Sequence, residues 1–348
     1  ILDPQDTFTA SNACLIKHYA YELGKVWMGD GLLLSSDIWK RHRKLLTPAF
    51  TLPVTYGFLD VFNRFFDNLP YIKHNALETL CGNHNILLNH DFEIKNISIS
   101  HNCIFVDVLQ IVLQKKKAAV KNEARHNNTE FETKDLLLEL SKNGVLTDRE
   151  IGEELNTIIA AGYETTSNQL TYALLLLGAH PEAQEKLFKE LLEVLGSDKD
   201  VEKDDVNKLV YTNAVLMECL RMFPSVPVIL RYVDKDVKLK NYTMRAGSYC
   251  VIFQLTSYHD QFWRADIDQF RPERWLEGDL SNNKEFAAFG LGKRACIGRT
   301  YAMVSMKVTL AHFLRRYRVK ADINKLKMKY EFVMRPVSGY EISIEQRT

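Results

Sequence analysis

Phe289-Gly290-Leu291-Gly292-Lys293-Arg294-Ala295-Cys296-Ile297-Gly298 is a glycine-rich loop that ends on a cysteine. A segment with helical patterning follows it, from Arg299 to about Tyr317, with Arg315, Arg316 and Arg318 placed to suit the negative pole of a helix dipole. A cysteine just ahead of a helix sits where backbone N–H groups and the dipole favour a thiolate. Gly292 and Gly298 let backbone approach something flat and bulky. Arg294, two residues before the cysteine, can reach a carboxylate beside it.

Three readings of this loop compete. A lone cysteine is most often a small buried hydrophobe. A phosphate-binding loop shares the Gly-Lys ending, but needs Ser or Thr next and a Gly six before the Lys. Here Arg294 and Ala287 hold those positions. The third is a haem site, with the Cys296 thiolate as axial ligand and Arg294 on a propionate. The spacing Phe-x-x-Gly-x-Arg-x-Cys-x-Gly favours it.

Working outward, the strongest helical pattern opens at Thr147, with Glu150 three residues on as a capping box. Ile151, Leu155, Ile158, Ile159, Gly162, Thr166, Leu170, Ala173 and Leu177 repeat at steps of three or four, which predicts one apolar face up to His180-Pro181. Pro181 starts another helix that stops at Gly196, and a further one covers about Tyr211–Met222, ended by Pro224. Strand-like runs follow at Val226–Val233 and Tyr249–Leu255. Asn102–Glu123 also reads as helix, and His126–Thr133 as a polar loop. The fold class expected is mainly α with a minor β part.

Composition removes several functions. Lys plus Arg is 45 against 44 Asp plus Glu, so a net charge of +1 asks for neither nucleic acid nor an anionic surface. None of the six cysteines forms a Cys-x-x-Cys pair, which reads as a reduced compartment without a zinc ribbon. No apolar run reaches the roughly 20 residues of a spanning helix.

Three other constellations carry chemistry. Ala161-Gly162-Tyr163-Glu164-Thr165-Thr166 puts an acid and two hydroxyls inside an apolar helix, where they are costly unless satisfied. Glu164 and Thr165 are candidates to relay protons, against the plainer reading of helix packing with a surface Glu. Glu218-x-x-Arg221 shares a helix face among apolar neighbours, and Arg274 is a candidate third member. Trp39 and Arg43, at i and i+4, are pure donors apt for one anionic group, or simply part of a surface helix.

In this order the four constellations resemble the cytochrome P-450 superfamily, in particular the microsomal branch with fatty-acid ω-hydroxylases and insect enzymes. The resemblance covers about Leu136 to the end and Gly29–Phe50. It implies one P-450 domain over residues 1–348, incomplete, without the N-terminal anchor and without part of the helices between about 51 and 135. It implies haem b, with Cys296 on the iron. Phe289, Gly292 and Gly298 would lie at the cysteine loop, and Trp39, Arg43, Arg231 and Arg294 on propionates. It implies Glu164 and Thr165 as the oxygen-activating acid–alcohol pair, and Glu218, Arg221 and Arg274 as a structural triad. Where much of the branch has a Glu that bonds haem covalently, this chain has Ala161. The activity implied is insertion of one atom of O2 into a lipophilic substrate (a fatty acid, hormone or xenobiotic). Electrons would come from NADPH through NADPH–cytochrome P-450 reductase, with cytochrome b5 as a further partner, on the cytosolic face of the endoplasmic reticulum membrane. The alternative is a catalytically impaired haem-binding remnant.

Overall fold

The computed structural model describes residues 16–34, 37–67, 140, 143–239, 241–254, 266–277, 286–329, 333–339 and 342–347. Six helices organise them: α1 (Trp39–Leu46), α2 (Leu59–Asp67), α3 (Asp148–Ala179), α4 (Pro181–Leu195), α5 (Val210–Met222) and α6 (Arg299–Arg316). The strands are short, among them β1 (Val228–Tyr232), β2 (Tyr249–Phe253), β3 (Tyr317–Ala321), β4 (Arg335–Pro336) and β5 (Ile342–Gln346). This is the expected mainly α class with a minor β part. The helix expected at Asn102–Glu123 and the loop at His126–Thr133 lie outside the described residues. Among the described residues no single helix is long and apolar enough to cross a membrane.

The chain divides into two compact units. In the first, residues 17–57 join the segment that ends at Gly162. The capping box forms as read: Thr147 N donates to Glu150 Oε2 at 2.7 Å, and Glu150 N donates to Thr147 Oγ1 at 3.2 Å. Of the expected apolar stripe, this half of α3 buries Ile151 fully, leaves Leu155, Ile158 and Ile159 half-buried and exposes Gly162. Glu154 and Thr157 are buried there, while Ala160, Ala161 and Gly162 are exposed. The reason is polar. Glu154 accepts from Leu32 N at 3.1 Å and lies 2.7 Å from His42 Nδ1, on α1. Burial still holds its carboxyl above the usual range, against the pull of His42. Gly31 allows the loop to lie against the helix, since a Cβ there would meet Thr157 Oγ1 at 2.1 Å.

In the second unit, α3 continues and is buried on every side from Ser167 to Gly178. A helix apolar or neutral all round belongs in a core. Gln184, itself buried, ties three elements together. Its amide donates to Leu177 O and Val319 O, both at 2.9 Å, and accepts from Val319 N at 2.9 Å. Strands β1 and β2 pair antiparallel, Val228 opposite Phe253 and Tyr232 opposite Tyr249. Strand β3 pairs antiparallel with β5.

Gly178 and Gly162 have opposite surroundings. A Cβ on Gly178 would sit 2.8 Å from Ala321 N and 2.9 Å from Ala321 Cβ, whereas nothing lies within 4 Å at Gly162. Gly178→Ala is therefore expected to lower stability by about 1–3 kcal/mol through overpacking. Gly162→Ala is expected to hold or raise it by up to about 1 kcal/mol, from helix propensity. Urea unfolding of both variants checks the pair, and equal midpoints would contradict it.

Candidate functional site

Glu218, on α5, is fully buried and accepts five hydrogen bonds. Arg221, one turn on, gives two in a fork: Nε to Oε2 and Nη2 to Oε1, both 2.9 Å. Arg274 Nε donates to Oε1 at 2.9 Å. Arg271 N donates to Oε1 at 3.0 Å, and Trp275 Nε1 to Oε2 at 2.8 Å. The triad read from the sequence thus forms. Two of its partners were missed: a backbone amide, which no side-chain pattern announces, and Trp275, which adjoins Arg274 in the sequence. Arg274 also reaches Asp266 Oδ1 at 3.2 Å and Asp266 O at 2.9 Å. Asp266 is held below the usual carboxylate range: burial works against its charge, and the hydrogen bond and charge of Arg274 outweigh it.

From Trp275 the packing runs to the cysteine loop. The Trp275 and Phe286 rings meet edge to face with centroids 4.8 Å apart. Phe289 and Met303 pack on the same cluster. Ala287 O accepts from Gly290 N at 2.6 Å and from Gln254 Nε2 at 2.5 Å. Cys296 N then donates to Phe289 O at 2.7 Å and closes the loop. Gly290 and Gly292 both take φ of +69°, the left-handed region that favours glycine. The sequence reading named Gly292 and passed over Gly290. Gly298, at φ −86°, caps α6, and a Cβ there would lie 4.0 Å from Cys296 Sγ.

Three cysteines are described, and they differ in kind. Cys219 and Cys250 are buried and Cys296 is exposed. Burial, then the neighbouring Glu218 charge, pushes the Cys219 thiol well above its ordinary range. Such a group is a poor thiolate. Cys296 has the opposite setting: it is accessible, on a pinned loop, at the N-terminal end of an 18-residue helix. Its soft sulfur donor fits a thiolate-ligated iron.

The remaining candidates fall in both units. Arg231, on β1, is buried and donates from Nη1 to Leu230 O at 2.9 Å. Arg294 is half-buried in the turn Gly292–Arg294. Glu164 and Thr165 lie in the second unit's part of α3. Glu164 is half-buried, and its carboxylate pairs with Arg335 at an accessible surface, as the plainer reading of a surface Glu also allows. Thr165 O accepts from Ser225 Oγ at 2.9 Å. Trp39, buried, and Arg43, half-buried, share α1 in the first unit. Met334 is buried, with its carbonyl accepting from Tyr172 OH at 2.6 Å.

Comparison with known proteins gives the same direction. The family model "Cytochrome P450" matches residues 85–344. Cytochrome P450 4F2 of Homo sapiens is 29% identical over 398 residues, covering 94% of this chain and 76% of its own. Cytochrome P450 4c3 of Drosophila melanogaster is 27% identical over 410 residues, covering 95% and 76%. Cytochrome P450 4g15 of the same fly is 25% identical over 484 residues, covering 100% and 83%.

Removing the Glu218 charge takes from buried Arg221 the carboxylate it is forked onto, and leaves buried Arg274 with Asp266 alone. Glu218→Gln is expected to cost about 3–5 kcal/mol. Trp275→Phe, which removes one neutral donor and keeps the ring, is expected to cost about 1 kcal/mol. Chemical unfolding of the two variants separates these values, and equal losses would contradict the hub.

Proposed function

Because the chain belongs to the cytochrome P450 family, and by that membership is a haem-thiolate monooxygenase, we propose that Cys296 supplies the thiolate. The accessible Cys296 on its closed loop ahead of α6 is the observation that carries this reading. A bound haem supplies reductive activation of dioxygen, which the thiolate favours by pushing electron density toward O–O cleavage. Phe289, Gly292 and Gly298 shape the loop around the sulfur. Arg231 and Arg294, with Trp39 and Arg43, offer hydrogen-bond donors for two propionates. Glu164 takes a proton from solvent at its carboxylate, and the Thr165 hydroxyl hands one inward. One oxygen atom enters the substrate and the other leaves as water.

The substrate we propose is lipophilic: a fatty acid, hormone or xenobiotic. Ala160, Ala161 and the run Val228–Leu230 support it, offering apolar contact and little charge. Electrons come from NADPH through NADPH–cytochrome P450 reductase, with cytochrome b5 as a second donor. Lys40 and Lys44 are exposed on α1 and suit an acidic partner. Arg41 of that basic cluster is already engaged by Glu150 at 2.9 Å. The location proposed is the cytosolic face of the endoplasmic reticulum membrane, as for the microsomal branch.

One observation favours a second reading, a haem-binding form with impaired turnover. The alignment with the fly 4g15 protein extends over 484 positions, while this chain has 348 residues. The relative therefore carries segments with no counterpart here, and we place that difference between about 51 and 135. Shorter walls exclude less water from a reacting site.

Two variants test the reading. Cys296→Ser is expected to abolish the red-shifted Soret band of the reduced carbonyl adduct. Thr165→Ala is expected to keep haem and that band but to spend NADPH without matching product. Unchanged coupling would remove Thr165 from proton delivery. Haem retained by the unaltered chain, with no turnover of fatty acids or apolar xenobiotics when reductase is added, would favour the second reading.

A further inference from the structure

Leu176, His180, Met222 and Asp268 line a cleft of about 440 Å³, with Phe270 and Ile323 beside them. All six belong to the second unit, and none has a part in the haem chemistry proposed above. The volume suits a small molecule. Much of the lining is apolar: Leu176 and Phe270 are buried, and Met222 and Ile323 are half-buried. The polar side chains offer acceptors. Asp268 is exposed and brings a carboxylate. His180 Nδ1 lies 2.7 Å from Leu176 O, and a carbonyl can only accept, so Nδ1 carries a proton. In the neutral ring Nε2 is then left as an acceptor.

Two helix ends add to the same sign. Helix α3 ends at Ala179, within one turn of Leu176, and α5 ends at Met222 itself. Each brings the negative pole of its dipole to the cleft. The last turn of α3 holds no basic residue. That of α5 holds Arg221, whose charge is met by the fork onto Glu218. Arg274 shares Gln269 O with Arg221 at 3.3 Å, and Asp266 meets its charge in turn. Phe270, whose ring centroid is 4.9 Å from that of His180, adds an aromatic ring, a group that attracts cations to its face. A carboxylate, an acceptor nitrogen and two negative helix poles disfavour an anion and leave a neutral hydrocarbon no polar partner. We propose that this cleft binds a small organic ammonium ion, its N–H groups toward Asp268 and His180 Nε2 and its carbon skeleton among Leu176, Met222, Phe270 and Ile323.

Phenethylammonium is a suitable probe, and phenethyl alcohol is its neutral counterpart of like shape. Titration is followed by NMR of isotope-labelled methionine methyl groups, with the Met222 signal assigned through Met222→Leu. The haem-loaded chain is held as the reduced carbonyl adduct, which is diamagnetic and keeps the amine off the iron. The Met222 signal is expected to shift saturably with phenethylammonium, and the alcohol is expected to bind more weakly. Asp268→Asn is expected to weaken the ammonium about three- to fivefold, the range that one accessible charge allows, and to leave the alcohol unchanged. Asp268→Glu should restore the ammonium, and Asp204→Asn, which removes an exposed acid of the separate turn Lys203–Val206, should change neither. A Met222 signal that does not move to saturation overturns the site. Equal affinity for ammonium and alcohol, or an Asp268→Asn variant that binds both as before, overturns the cation assignment.

Discussion

The second unit depends on one buried carboxylate. Glu218 has no access to solvent, and neither, to within 2%, do the two arginines it holds. Charges in such a place are costly unless every lone pair and proton is used. Five donors meet the Glu218 oxygens, and the forked Arg221 contact is the planar geometry that guanidinium favours. The group therefore fixes more than a salt bridge. It draws the segment Asp266–Trp275 onto α5, because Arg271, Arg274 and Trp275 all donate to the same side chain.

Position is then passed on by packing. Trp275 presents its ring to Phe286, and the residue after Phe286 is the carbonyl anchor for Gly290 and Gln254. The cysteine loop thus hangs from a rigid cluster at one end and from the start of α6 at the other. Its two left-handed glycines allow the turn, and the Cys296 amide is spent on Phe289 O. Cys296 itself stays exposed. A thiolate in that setting gains from the helix dipole without the burial that disables Cys219. Chemistry and stability are linked here through neighbouring side chains rather than through shared residues.

Elements with local signals were legible in the sequence. The capping box at Thr147 and Glu150, the Pro181 start and the Pro224 stop each act within a few residues, and helices α3, α4 and α5 begin or end beside them. The triad was legible because Glu218 and Arg221 are one turn apart and Arg274 lies in a segment rich in arginine and proline. Long-range polar burial was not legible. Nothing near Glu154 announces that Leu32 and His42 will claim it, so the apolar stripe of α3, which did pick out Ile151, was an incomplete guide to its buried face in the first unit. Arg335 was hidden for the same reason: nothing in the sequence around it announces that it will pair with Glu164, 171 residues earlier. Gly290 was missed because positive φ is a property of the folded turn and not of the composition around it.

The central claim is a bond from Cys296 sulfur to iron, and X-ray absorption at the iron edge of the haem-loaded chain measures it most directly. The account predicts one sulfur in the iron's first shell, present in the unaltered protein and in a Cys219→Ala variant, and replaced by a lighter scatterer in Cys296→Ala. A first shell made only of nitrogen and oxygen in the unaltered protein, or a sulfur that survives Cys296→Ala, would contradict it.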